Sequence, residues 1–160
     1  MREFDNLTSF CLHFATLTVA IHEAEQKGLE RIAKIIQEDA KQRIGEYQSE
    51  EGGFPAWADL ADSTEAEKAR LGYPTDAPLL RTGELRDSIE KEVERGEAVV
   101  GSKMDIAEYQ EFGTERIPPR PFIGPAAFSN KDKIERMLGA VMVEGLTGGQ
   151  KIHESLGYDF

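Results

Sequence analysis

The sequence predicts an α+β fold: a long N-terminal helix and a C-terminal helix packed on a small, mainly antiparallel β-sheet. Three observations predict it. Apolar residues recur at steps of three and four from Phe10 to Ile44, the mark of one helix face. Residues alternate on either side of Arg95-Gly96, as they do in a hairpin. A proline cluster at 118–121 forbids helix, and Pro125 then suits the opening of a last one.

The helical stripe takes in Phe10, Phe14, Leu17, Ile21, Ala24, Gly28, Ile32 and Ile35, and Ala40 and Ile44 extend it. Glu25, Glu30, Lys34, Glu38 and Lys41 form the opposite, charged face. A helix of that extent runs about 50 Å, too long to bury its whole stripe on a small sheet. Neighbouring subunits are a second surface for it. Gly28 is a place for a kink, and Thr16, Thr18 and Val19 leave a short initial strand open.

"SEEGGFPAW" at 49–57 reads as a loop tucked over a core, with a binding pocket around Phe54 and Trp57 as the lesser reading. A short helix follows over 62–72: Asp62 or Ser63 caps it, Arg70 suits its last turn and Gly72 ends it. "YPTDAP" at 73–78 is a second loop, and Thr82 caps a single turn through Arg86. Ile89, Lys91 and Val93 mark a strand, Arg95-Gly96 the turn, and Ala98 to Ser102 the return. The next helix, 105–113, opens on a capping box of Asp105 and Glu108. Ile106, Tyr109 and Phe112 are expected to face the core, and Gly113 stops the helix. The final helix carries Phe128, Ile134, Met137, Leu138 and Val141. The organisation expected is one domain over 1–145 and a flexible tail over 146–160.

Composition narrows the function. A net charge of −11 argues against a protein that grips nucleic acid, since phosphate binding needs clustered Lys and Arg. Cys11 is the only cysteine, so no internal disulfide forms, which fits a reducing cytoplasm. The apolar run 10–21 around it is too short to span a bilayer, and Glu3 and Asp5 precede it where a leader would be basic. Burial within the protein or against a partner subunit is the expectation for this run.

Catalytic patterns fail one by one. "HEAEQ" at 22–26 opens like a zinc protease motif, but Gln26 stands where the second histidine belongs. His13 lies near the apolar stripe and is expected to pack. His153 beside Glu154 does not make a site. No nucleophile elbow, phosphate-binding loop or dinucleotide fingerprint is present. The apolar neighbours of Cys11 raise its pKa rather than activate it. The expectation is a protein without catalytic residues, cofactor or metal.

Four segments matter as an ordered set: "WADLADST" at 57–64, "PLLRTGELRDSI" at 78–89, "VGS" at 100–102 and "YQEFGTERIPPRPFIGPA" at 109–126. With them the sequence, from about residue 10 to 130, resembles the phage head–tail joining family, also described as neck, tail-completion or virion morphogenesis proteins. The resemblance implies a structural virion component, built as a small sheet flanked by helices. Such proteins assemble as rings, commonly sixfold, at the junction of head and tail. It implies a tailed phage or prophage source, synthesis in the host cytoplasm, and contacts with head-closure and tail terminator or tube proteins. DNA would pass through the ring without sequence-specific binding, and no membrane is involved. The motif positions carried over are Leu80, Arg81, Thr82, Gly83, Tyr109, Phe112, Gly113, Thr114, Pro118, Pro119, Arg120, Pro121 and Phe122.

Held between prolines, Arg120 offers a planar fork to a carboxylate of its own chain or the next. Whether this strap pins its own fold or clasps a neighbour stays open at the level of sequence. The competing readings are a regulatory or host-directed binding module, using "GYDF" at 157–160 and the 49–57 loop, and a carboxylate-metal hydrolase.

Overall fold

The computed structural model describes residues 6–147, so the expected tail from 148 onward lies outside the described residues. The elements are α1 (Leu7–Arg43), α2 (Asp62–Leu71), α3 (Glu84–Asp87), β1 (Glu90–Glu94), β2 (Glu97–Gly101), α4 (Asp105–Phe112), α5 (Ile123–Ser129) and α6 (Lys131–Leu146). The fold is α+β: a long N-terminal helix, C-terminal helices and a two-stranded antiparallel sheet. The chain divides into two compact units. Of the described residues, one holds 6–32, Val93–Ala98 and 132–147; the other holds Ala33–Glu92 and Val99–Lys131.

In the first unit, α1 and α6 meet through small residues. A side chain at Gly28 would overlap Val141, and one at Gly145 would come within 3.0 Å of the Ile21 backbone. Ala24, Ile32 and Ala140 are buried there. Gly28 therefore stands within one unbroken helix, where its missing side chain admits Val141. Thr16 and Thr18 are helical too, their hydroxyls donating to the carbonyls of Leu12 and Phe14 at 2.9 and 3.0 Å. That back-bonding absorbs the polar group of a residue otherwise suited to a strand.

The apolar run 10–21 is not buried within the chain. Cys11 is exposed, and Leu12 and Phe14 keep 64% and 54% of their surface. The stripe is helical as expected, but its buried positions begin at Ala24; before it, Ile21 meets Gly145 and the Phe10 and Phe14 rings pack on each other, 4.9 Å between centres.

The second unit contains the core. Ala40 and Ile44 of α1 cluster with Trp57, Leu85, Ile89, Ala107, Phe122 and Ala126. Gln37 Nε2 donates to the Ile89 carbonyl at 2.7 Å, tying α1 to the chain just before β1. The hairpin turn has φ of 52° at Arg95 and 80° at Gly96, the left-handed pair a two-residue hairpin needs. The 49–57 loop doubles back at Gly52-Gly53, where Glu51 and Phe54 exchange backbone bonds of 3.2 and 2.9 Å. Trp57 is buried beyond it, so this loop contributes to the core.

Several expected helix ends differ. The residue before α2 is Ala61, with no side-chain cap, although Gly72 stops the helix in the left-handed region as expected. Gly83, not Thr82, sits at the start of α3; the Thr82 hydroxyl accepts the Glu84 N–H only at 3.4 Å. The residue before α4 is Met104 and no capping box forms; Ser102 Oγ accepts the Met104 N–H at 3.1 Å instead. The last helix is two. The chain breaks at Asn130, whose side-chain amide donates to the Ala126 carbonyl and to Asp39 at 2.9 and 2.7 Å. Local competition of this kind from an Asn side chain ends a helix.

Arg43, at the end of α1, joins Asp39 and Glu51 at 2.9 and 3.0 Å and donates to Ser129 Oγ at 2.5 Å. The Ser129 hydroxyl first, and Arg43 after it, hold the Glu51 carboxyl below its ordinary 4.5, against partial burial that pushes it up. A carboxyl depressed in the folded state adds stability above its unfolded pKa and loses it as pH falls through the folded one. The difference in Tm between the wild type and Glu51→Gln is therefore expected to be constant near neutrality and to shrink below pH 4.5. Thermal melts over that range check this; a gap that widens in acid contradicts it.

Candidate functional site

The two diagnostic motifs meet in the second unit. The strap after α4 is fastened at four points. Gly113 turns the chain with φ 74° and ψ 174°, a region essentially reserved for glycine. The Thr114 hydroxyl accepts the N–H groups of Arg116 and Ile117 at 3.2 and 3.1 Å. The Arg120 N–H donates to the Gln110 carbonyl at 2.6 Å. The Glu111 carboxylate accepts three N–H groups, those of Phe122, Ile123 and Gly124, at 2.8, 3.0 and 2.7 Å. These are the otherwise orphaned donors at the start of α5, and a carboxylate suits that helix end. Phe122 then enters the core with no exposed surface.

The guanidinium of Arg120 is buried against its own chain. Its Nε and Nη2 donate to the Ala58 carbonyl at 3.3 and 2.9 Å, and Nη2 also to that of Asp59 at 3.0 Å. The indole of Trp57 returns the contact, donating to the Pro121 carbonyl at 3.0 Å. The fork expected for a carboxylate holds two backbone carbonyls, because 57–59 is the segment the prolines aim it at. The strap pins its own fold.

At Gly113 an added Cβ would stand 2.9 Å from the Pro119 nitrogen and 3.0 Å from the Ile117 carbonyl oxygen. Neither backbone atom can yield as a flexible side chain would. Gly113→Ala is expected to cost about 1–3 kcal/mol from conformational strain alone, read as a lowered midpoint in urea unfolding. An unchanged midpoint would contradict this geometry.

Leu80, Arg81, Pro118 and Arg120 line one cleft of about 500 Å³, together with Lys68, Gln110 and Arg116. Its cations are Lys68, Arg81, Arg116 and Arg120; its carboxylates are Asp59 and Glu67. That local excess stands out in a chain of net charge −11. Arg81 pairs with Glu67 at 2.9 Å and lies over the Tyr73 ring, 5.2 Å from its centre. Lys68 is buried, and its ammonium donates to the Ala77 carbonyl at 2.6 Å. Burial, and then repulsion from Arg81, push its pKa below the ordinary lysine value. Gly83 supplies a left-handed φ of 92° at the start of α3.

Tyr109 and Phe112 stand apart from the cleft. They were expected in the core with Ile106, yet they are 46% and 77% exposed, and Ile106 is exposed at the cleft. The core side of α4 is Ala107, with the Glu111 carboxylate and the Gln110 backbone carbonyl turned to the strap. A short helix beside a polar strap spends its inward positions on hydrogen bonds, which reverses the face that hydrophobicity selects. Lys68, Gln110, Glu111 and Arg116 were not foreseen as site residues; Glu111 captures N–H groups 11 to 13 positions away, beyond any local spacing rule.

The model of the HK97-gp10-like family, described as "Bacteriophage HK97-gp10, putative tail-component", matches residues 9–113. That is 105 of the 160 residues. The chain belongs to the HK97-gp10-like family. Membership makes it a phage structural protein of the tail-component class, located in the virion, in line with the resemblance carried by the motifs. No curated protein and no solved structure gives a significant match. The HK97-gp10-like match ends at Gly113, so the strap, which carried much of that resemblance, lies beyond it. Among the described residues, no helix is long and apolar enough to cross a membrane.

Proposed function

We propose that this HK97-gp10-like protein forms a ring, commonly of six copies, at the head–tail junction of a tailed phage. It acts there by contact rather than catalysis, between head-closure proteins and the tail terminator or tube. Family membership supports the phage structural role. The observation that carries self-assembly is the apolar arm of α1: Leu7, Leu12, Phe14 and Val19 are exposed, as are Met142 and Leu146 of α6 in the same unit. An uncharged helical surface of this extent is unusual on a protein that works alone, and ring closure requires each copy to offer such a surface to the next.

Native mass spectrometry and negative-stain microscopy test the reading. The wild type is expected to form closed rings, alone or on addition of its head-closure or tail partner. Leu12→Glu with Phe14→Glu is expected to abolish them while leaving the circular dichroism spectrum unchanged, since neither side chain is in the core. A wild type that stays monomeric with every such partner would sink the proposal.

A further inference from the structure

We propose that the basic cleft of the second unit is a binding site for a carboxylate carried on a short apolar body. The inference goes beyond the ring reading and does not depend on it. Two buried cations stand in the cleft wall with donors to spare. Arg120, 7% exposed, commits Nε and Nη2 to the carbonyls of Ala58 and Asp59. Its Nη1 makes no hydrogen bond, and among the described residues the side-chain polar atom that is both buried and unpartnered is Gln110 Oε1. Nη1 therefore keeps a surface, and the cleft that Arg120 lines is where that surface opens. Lys68, 6% exposed, gives one ammonium N–H to the Ala77 carbonyl, which leaves the others of its three donors unused.

Charge and shape set the ligand. Arg81 is taken by Glu67, which leaves Lys68, Arg116 and Arg120 against the carboxylate of Asp59. Arg116 is exposed at the rim, and its guanidinium makes no ion pair or hydrogen bond among the described residues. A surplus of positive charge between low-dielectric walls concentrates anions. Fixed donors on two buried side chains match the two oxygens of a carboxylate, whereas a phosphate dianion would meet stronger repulsion from Asp59. The rest of the wall is apolar, with Leu79, Leu80, Ile106 and Ile117, and its 500 Å³ or so is far more than a carboxylate alone fills. Apolar walls with a few placed polar groups are the usual make-up of a small-ligand site.

Calorimetric titration with 3-phenylpropionate tests it, with acetate as the head alone and 3-phenylpropionamide as the body without its charge. Saturable binding of 3-phenylpropionate, at least about tenfold tighter than either control, is expected in about 0.15 M salt, where exposed charges are screened. Arg116→Glu is expected to weaken it about tenfold or more, since a charged donor is lost and a repulsion added. Its side chain is exposed, so this variant should melt like the wild type. Lys68→Met should weaken binding as much, with circular dichroism to show that it folds; where it does not, Arg116→Glu decides alone. Lys103→Glu reverses an exposed cation outside the cleft and should leave the affinity as it was. Amide binding as tight as the acid shows the cations idle, acetate binding as tight shows the wall idle, and either overturns the inference. So does an affinity that Arg116→Glu leaves unchanged. The carboxylate can belong to a free molecule or to an acidic side chain of another virion protein: saturating 3-phenylpropionate leaves assembled rings intact in the first case and disperses them in the second.

Discussion

Arg120→Ala is expected to lower monomer stability by about 2–4 kcal/mol, since hydrogen bonds from a charged group contribute roughly 1.5–3 kcal/mol each and do not add fully. The side chain is 7% exposed and makes three donor contacts to the carbonyls of Ala58 and Asp59. Its loss also frees the segment that positions Trp57, whose indole holds the strap from the other side. In a chain of this size the change corresponds to a fall in Tm of about 4–16 °C. Arg120→Lys is expected to recover only part of it, because a point charge cannot reproduce the planar fork. Thermal melts and ring formation should be measured side by side. An unchanged Tm with abolished rings would show that the guanidinium reaches a neighbouring chain instead.

Phe122→Ala is expected to cost about 3–5 kcal/mol, the range for removing a large aromatic side chain from a packed core. Phe122 has no exposed surface and joins Ala40 and Ile44 of α1, Trp57 and Ala126 in one cluster. The alanine would leave a void bounded by three chain segments that the strap, Glu111 and Arg120 hold in place, so collapse around it is restricted. The Tm should fall by about 6–20 °C. A loss below 1 kcal/mol in urea unfolding would mean that the core closes over the gap and that the strap is less firmly held than its bonds imply. Phe122→Leu, which keeps most of the volume, should lose markedly less.

Much of the fold was legible along the chain because its causes are local. The steps of three and four between Phe10 and Ile44 specify α1. The left-handed turn at Arg95-Gly96 specifies the hairpin, and Gly72 and Gly113 end α2 and α4 where glycine is needed. Each acts through neighbours a few positions away. The motif residues of the site were legible as well, but not their roles. Tyr109 and Phe112 have the spacing and apolarity of core positions, yet they lie exposed. The Asp62 or Ser63 cap expected for α2 and the capping box expected for α4 did not form, since a suitable residue type cannot say which backbone group will lie within its reach.

Helix, turn and stop thus follow from short-range sterics and periodicity, and the ordered motifs mark the phage family without any coordinates. Folding had to bring distant groups together before the rest existed. The indole of Trp57 meets a carbonyl 64 residues away, and Arg120 finds its two carbonyls 62 and 61 residues back. Only that closure decided between a clasp on a neighbour and an internal pin, which the sequence left open. It also gathered Lys68, Arg81, Arg116 and Arg120 into one cationic cleft on an acidic protein. Charge summed over a sequence has no position, and an electrostatic surface depends on position alone.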